Sequence, residues 1–257
     1  MPDTGVPSFD LDGRTALVTG STSGIGLAIA RALASAGARV LIHGHSEQAE
    51  IDRVAAALPS KGRAATGTRV DLAERDGGRS LAAWALSQGD IDILVLSAAV
   101  QRRMPWTELD DEQFDWHVDV NLRSTLQLLQ ALAPPMQRRG FGRIVTIGSV
   151  QQTRPDPDLL VYAATKAALR SIVRNLARQL GPSGVTVNNI APGAIATPRN
   201  DDWMHDPEQL AQVQRRIPLG RLGEAAECAG MAVLLCSPAG AYITGADLYI
   251  DGGMDVQ

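Results

Sequence analysis

Aromatic side chains make up only 4% of the 257 residues, so the interior cannot be built around stacked rings. Small residues are plentiful instead, including 25 Gly, which suits helices packed closely on a sheet. Cysteine occurs twice, at Cys228 and Cys236. Two are too few for a disulfide framework and read as buried thiols in a reducing compartment. No run of about 18 or more apolar residues occurs, so the sequence holds no candidate membrane helix. The start, Met1-Pro2-Asp3-Thr4-Gly5, lacks the basic region and apolar stretch of a secretory signal. No block of basic residues appears and the formal net charge is −4, which argues against a nucleic-acid partner. The expectation is a soluble, cytoplasmic protein that acts on a small molecule.

What is present is alternation. Short β-rich apolar runs at 15–19, 40–43, 64–70, 93–97, 144–147, 185–190 and 248–250 alternate with helical patterns. The helices are predicted at 25–35, 47–58, 74–87, 111–138, 159–180 and 225–235, with Gly37 ending the first. Pro134-Pro135 is expected to end or kink the long helix at 111–138. This order predicts one α/β domain over 1–257, a Rossmann-type doubly wound parallel sheet of about seven strands with helices on both faces. Residues 1–8 are expected to be a flexible tail. Residues 192–220, rich in Pro and Gly, read as a substrate lid rather than a plain surface excursion, because they follow a strand.

Two features carry chemistry. Thr19-Gly20-Ser21-Thr22-Ser23-Gly24-Ile25-Gly26 lies between a predicted strand and a predicted helix. There Gly20 permits the tight turn, Gly24 lets backbone approach a phosphate, and Gly26 lets the helix pack on the strand. The helix N-terminus then offers free N–H groups to a pyrophosphate. The second feature is Tyr162 and Lys166, one helical turn apart, with Ser149 thirteen residues before the tyrosine. An ammonium beside a phenol favours the phenolate and lowers a pKa of about 10. Either pair alone would be an ordinary surface feature; the combination points to acid–base chemistry beside a dinucleotide. His43, His117 and His205 have no metal-ligand spacing, and no metal is expected.

The spacing Thr-Gly-x-x-x-Gly-x-Gly resembles the short-chain dehydrogenase/reductase family, and further motifs agree over about residues 9–256. Asn121, Ser149, Tyr162 and Lys166 match the family's catalytic tetrad in order and spacing. The resemblance implies that Tyr162 exchanges a proton with the substrate oxygen and that Lys166 lowers its pKa and holds the nicotinamide ribose. It implies that Ser149 orients the substrate oxygen and Asn121 anchors a water leading from Lys166 to solvent. Pro192, Gly193, Ile195 and Thr197 match the nicotinamide loop, Asp71 and Leu72 the adenine-contacting pair, and Asp251-Gly252-Gly253 the C-terminal signature. Gly20, Ser21, Thr22, Ser23, Gly24, Ile25, Gly26, Tyr162 and Lys166 are the remaining implied cofactor contacts, with Gly44 and His45 after the second strand. One departure stands out: Leu96-Ser97-Ala98-Ala99 replaces the family's Asn-Asn-Ala-Gly, so Ser97, Ala98 and Ala99 must form the cofactor wall without those amides.

The implied reaction is NAD(P)-dependent interconversion of a secondary alcohol and a ketone. Gly44 stands where an acidic residue would repel a 2′-phosphate, which favours NADP(H) over NAD(H). His45 and Ser46 could contact the phosphate, or His45 could be a solvated loop residue. Against NADP(H), no Arg follows Gly44, and Ser23 replaces a basic residue common in NADP-using relatives. Gln151, Arg154 and Trp203 are the substrate candidates, with Gln152, Arg102 and Arg103 nearby. They suit an oxygen-rich substrate such as a sugar acid or polyol, although such arginines can equally be solvated. The alternatives are a 3-oxoacyl carrier-protein reductase and, from another class, a non-catalytic nicotinamide-binding sensor or scaffold. The family also implies a homotetramer. Leu122, Leu126 and Leu129 form a stripe that could serve as core or interface.

Overall fold

The structure, a computed structural model, describes residues 5, 7–60 and 62–256. β1 (Thr15–Val18), α1 (Gly24–Ser35), β2 (Arg39–Gly44), α2 (Gln48–Ala56), β3 (Thr66–Arg69), α3 (Gly77–Ser87) and β4 (Ile93–Leu96) form the first half. α4 (Asp111–Val118), α5 (Ser124–Arg139), β5 (Gly142–Ile147), α6 (Leu160–Leu180) and β6 (Val185–Pro192) follow. Next come β7 (Ile195–Ala196), α7 (Asp201–Met204), α8 (Pro207–Arg215), β8 (Gly223–Glu224), α9 (Ala225–Cys236) and β9 (Asp247–Ile250). Seven strands form one parallel sheet in the order β3-β2-β1-β4-β5-β6-β9. The predicted doubly wound sheet is therefore present. Its order reverses between β1 and β4, which opens a crevice at the carboxyl ends of those strands.

Strand alternation explains why both faces are covered. Val18, Ile42, Val95, Val145 and Ile147 point to one side and pack on Ile29 and Leu33 of α1 and Ala232 and Leu235 of α9. Leu17, Leu41, Leu94 and Ile144 point to the other and meet Leu81 of α3, Leu128 and Leu132 of α5 and Val173 of α6. Nearly every sheet residue of β1, β4, β5 and β6 is consequently buried.

Four expectations change. The helix predicted at 111–138 is broken into α4 and α5 by a π turn at Asp119–Arg123, a local widening that periodicity does not reveal. Pro134 and Pro135 do not end α5, which runs to Arg139 and stops at Gly140 with φ of 70°. The leucine stripe splits, with Leu129 buried and Leu126 exposed; the core seam is Leu128, Leu129, Leu132 and Met136. Of the tail expected over 1–8, residues 1–4 and 6 lie outside the described residues. Ser8 is tied down, its carbonyl accepting the N–H of Ala239 at 3.1 Å.

The segment 192–220 is better organised than its composition suggests. β7 pairs with β8 through Ile195↔Gly223 and Ala196↔Glu224, closing the base of an excursion that carries α7 and α8. Among the described residues no helix is long and apolar enough to cross a membrane.

Candidate active site

Three strand ends meet at the glycine turn. The Thr19 hydroxyl accepts the N–H groups of Ser97 and Ala98, each at 3.0 Å, joining the ends of β1 and β4. Gly20 has φ of 62°, and a Cβ there would lie 2.8 Å from Ala98 Cα, so both conformation and space demand glycine. The Gly20 N–H donates to His43 Nδ1 at 3.1 Å, and His43 Nε2 donates to the Val70 carbonyl at 2.9 Å. Nδ1 must be unprotonated to accept, so His43 is the neutral Nε2–H tautomer. Burial accordingly holds its pKa below the ordinary value of 6.5.

This cradle fits a dinucleotide. α1 starts at Gly24 behind Ser23, whose side chain makes no capping bond, so the first-turn N–H groups have no side-chain acceptor. Gly20, Ser23, Gly24, Ile25 and Gly26 line the cleft. Ser21 does not: it is fully buried, donating to the Val18 carbonyl at 2.7 Å and accepting the His43 N–H at 3.0 Å. Thr22 backs Gly44, where an added Cβ would come within 2.5 Å of its methyl group. His45 is exposed on the loop after β2, with its Nε2 3.3 Å from Asp71 Oδ2. Leu72 is buried in the core. Ser97, Pro192, Gly193, Ile195 and Thr197 border the same cleft. Ala98 and Ala99 act through their main chain, with the Ala99 carbonyl accepting from Arg199 at 2.7 Å.

Across the cleft stand Ser149, Tyr162 and Lys166. Ser149 follows β5 and caps a single 3₁₀ turn, Val150–Gln152, its Oγ accepting the Gln151 N–H at 3.2 Å. Tyr162 and Lys166 lie in the first two turns of α6, with Lys166 Nζ 5.5 Å from the Tyr162 ring centre. Nζ donates to the Ile147 carbonyl at 2.7 Å. Only 2% of Lys166 is exposed, and its pKa is pushed down to about 7, first by burial and then by the Arg199 charge. Its amine therefore exchanges a proton near neutral pH.

Asn121 sits in the π turn and is held differently from expectation. Its Oδ1 accepts the Val100 N–H at 2.8 Å, and its Nδ2 donates to the Val100 carbonyl at 3.0 Å and to Thr165 Oγ1 at 3.1 Å. Both amide donors are consumed in fixing the loop after β4 to α6. His117, also buried, fixes the same loop: it donates from Nδ1 to the Gln113 carbonyl and accepts the Arg102 N–H at 3.2 Å.

Of the substrate candidates, Gln151, Arg154 and Trp203 all line the cleft. Gln151 Oε1 accepts the Asp156 N–H, the Arg154 guanidinium donates to the Met254 carbonyl, and Trp203 Nε1 donates to Asn200 Oδ1. Gln152 turns away into the interior. Arg103 is paired with Asp156 at 2.8 Å. Sequence reasoning missed Thr19, His43, Arg199 and Arg216. The first two sit beside named motif residues, whereas the arginines reach the cleft only through the course of the 192–220 segment.

Residues 20–255 match the family model described as enoyl-(acyl carrier protein) reductase. Dehydrogenase/reductase SDR family member 4 of Bos taurus is 38% identical over 245 residues, covering 95% of this chain and 88% of that protein. The chain belongs to the short-chain dehydrogenase/reductase family. Family likeness extends to solved structures. A 3-oxoacyl (acyl-carrier-protein) reductase from Agrobacterium tumefaciens C58 with NADP bound has a TM-score of 0.88 and 38% identity, covering 95% of each chain. A gluconate 5-dehydrogenase from Burkholderia cenocepacia J2315 in complex with NADP and tartrate has a TM-score of 0.91 and 35% identity, covering 98% of this chain and 99% of that one. The present chain is thus a family oxidoreductase with its own wall at Ser97–Ala99.

Two titrations follow. The folded protein holds His43 neutral while the unfolded chain takes up a proton below 6.5, so stability should fall as pH drops through that value. In urea melts, His43→Gln should remove a slope of up to about 1.4 kcal/mol per pH unit on the acid side; an unchanged slope would contradict the assigned tautomer. Lys166 follows the same bookkeeping in a higher pH window. Its folded pKa of about 7 against an ordinary 10.5 means that the folded protein disfavours the cation throughout that window. Lys166→Met should therefore raise Tm most at pH 6, by about 2–4 °C per kcal/mol recovered, with the gain shrinking toward pH 10. A pH-independent difference would count against a buried charge.

Proposed function

We propose that this protein interconverts a secondary alcohol and a ketone on a small, oxygen-rich, acidic substrate such as a sugar acid, using NADP(H). The observation that carries the reading is the meeting of Ser149, Tyr162 and Lys166 in the cleft that the glycine turn opens. The cofactor, when bound, supplies the hydride acceptor or donor at its nicotinamide. Gly20, Ser23, Gly24, Ile25 and Gly26 would hold its pyrophosphate on first-turn N–H groups, and Ile195 and Thr197 would border its nicotinamide end. In oxidation Tyr162 takes the hydroxyl proton as the carbon loses hydride; in reduction it returns that proton to the developing alkoxide. Ser149 hydrogen-bonds the same oxygen and orients it. Lys166 places its amine beside the phenol, where it can pass a proton near neutral pH, and would meet the nicotinamide ribose when cofactor is bound. Asn121 fixes the loop after β4 with its side chain, so any water path from Lys166 uses its main chain.

Charge around the cleft supports the acidic substrate. Arg102, Arg103, Arg154, Arg199 and Arg216 line it against Asp156, Asp158 and Asp202, in a chain whose formal net charge is −4. Arg103, Arg154 and Arg199 are engaged by protein oxygens. Arg102 and Arg216 make no side-chain hydrogen bond to a described residue, although the Arg216 charge acts on Asp156, so these two have donors to offer a carboxylate. Gly44 supports NADP(H), since the end of β2 carries no acidic side chain there and Thr22 fills the space a side chain would take. Similarity to the gluconate dehydrogenase points the same way for both substrate and cofactor. Exposed Phe114, Leu126 and Leu160 on α4, α5 and α6 support a homo-oligomer, a tetramer in the family pattern, and we take the protein to be cytoplasmic.

Likeness to the 3-oxoacyl reductase keeps a second reading in which an acyl thioester is reduced. A spectrophotometric panel of sugar acids, neutral polyols and acyl thioesters, each with NAD(H) and NADP(H), separates the two. We expect sugar acids with NADP to give the highest kcat/KM. Arg102→Ala or Arg216→Ala should raise KM for the acid roughly tenfold or more and leave neutral polyols unchanged. Preference for thioesters, or equal effects on acidic and neutral compounds, would overturn the acidic-substrate reading.

A further inference from the structure

Behind Ser149 lies a chain of polar groups, buried at Asn189, Gln152 and Thr146 and reaching the surface at Thr153, that the reaction itself does not use. Asn189 of β6 has no exposed surface. Its Nδ2 donates to Gln152 Oε1 and to Asp247 Oδ1, each at 3.0 Å, and its Oδ1 accepts from Thr146 Oγ1 at 2.7 Å. Asp247 of β9 is held from its other oxygen by Arg170 of α6 at 2.7 Å, with Arg174 at 3.8 Å. Gln152 Nε2 donates to Tyr249 Oη at 3.2 Å, which continues to Thr153 Oγ1 at 3.3 Å and from there to Asp255 Oδ1 at 2.5 Å.

The chain of bonds has one direction. Asp247 can only accept, so Asn189 must turn its NH₂ toward it and toward the Gln152 oxygen. Turning the Asn189 amide over would place its oxygen against both of those oxygens and its NH₂ against the Thr146 hydroxyl. The Gln152 amide is fixed in turn, with its oxygen toward Asn189 and its NH₂ toward Tyr249. A fully satisfied buried network of this kind has one low-energy arrangement and stiffens what it touches.

What it touches is the turn of Ser149. Gly148 precedes the serine, and a Cβ on it would come within 2.6 Å of both Asn189 Nδ2 and Gln152 Oε1. The Gly148 N–H donates to the Ile190 carbonyl at 2.7 Å, and the Gln152 N–H donates to the Ser149 carbonyl at 3.0 Å. Main-chain bonds therefore hold the turn on both sides of Ser149, and the Asn189 and Gln152 side chains pack against Gly148, the residue before it. The far end of the network, Arg170, lies one helical turn beyond Lys166 on α6. The same bonds thus tie the turn carrying Ser149 to the helix carrying Tyr162 and Lys166.

We propose that Asn189 and Gln152 are positioning residues that hold Ser149 at its working distance from Tyr162, with Asp247 and Arg170 anchoring them to α6. The proposal rests on the reading of Ser149 as the group that orients the substrate oxygen. The test is a double-mutant cycle between Gln152→Ala and Ser149→Ala, read with gluconate and NADP, with cofactor affinity measured separately by fluorescence. Gln152→Ala should lower kcat roughly ten- to hundredfold and leave cofactor affinity unchanged. In the Ser149→Ala background it should have no further effect, because the group it positions is gone. Multiplying effects in the double variant would overturn the proposal while leaving the role of Ser149 intact. Full activity in Ser149→Ala alone would instead sink the catalytic reading. A crystal structure of Gln152→Ala decides the network independently of substrate: Ser149 should be displaced or take more than one rotamer, and an unmoved Ser149 contradicts us. If Gln152→Ala does not fold, Tyr249→Phe removes one hydroxyl from the same chain and answers both questions, with a smaller drop expected in kcat.

Discussion

The contact on which this structure depends is the close approach of main chain to main chain where the sheet order reverses. Gly20 lies against Ala98 so tightly that no side chain fits between them. Thr19 holds two N–H groups of the loop after β4, and His43 accepts the N–H of Gly20 itself. Three strand ends are thereby fastened together by side chains that leave the glycine turn bare. A pyrophosphate needs that bareness, since main-chain N–H groups can cradle it only if nothing projects over them. The Thr19 bonds go to backbone N–H groups, so they do not depend on which side chains stand at 97 and 98.

The opposite wall of the cleft solves another problem, that of keeping a cation indoors. Lys166 is buried, and burial drives its pKa to about 7. Folding gives up stability to hold an amine there, in the manner of a functional site. The Ile147 carbonyl gives it one fixed partner, and the same strand end leads directly into Gly148 and Ser149. Ser149 is thus set by one strand, β5, and Tyr162 and Lys166 by one helix, α6, with the buried Asn189 amide bonded between β5, β6 and β9.

Much of this was legible in the sequence. Alternating strand and helix patterns announce a parallel sheet, because each strand must be apolar on both faces. The glycine turn and the Tyr162–Lys166 spacing are local, and local geometry survives into the fold unchanged. What could not be read is non-local or subtle in phase. The π turn at Asp119–Arg123 shifts helix phase by only a fraction of a turn, so residues 111–138 read as one helix. Gln152 looked like a pocket wall since it lies between Ser149 and Tyr162, yet its partner Asn189 comes from a strand distant in sequence. Arg154 looked free, and Arg216 went unnoticed, for the same reason: whether an arginine is engaged depends on which distant carbonyl or carboxylate the fold brings to it. Ser21 sits inside the motif but faces inward, as a tight turn requires of every other side chain.

The central claim is that Tyr162 moves the proton that accompanies hydride transfer. It is tested most directly by comparing Tyr162→Phe with the parent protein for turnover and cofactor affinity on the same preparation. We expect turnover to fall by about a hundredfold to ten-thousandfold, with NADP bound as tightly as before. A Tyr162→Phe protein that turns over substrate at the parental rate would contradict the mechanism.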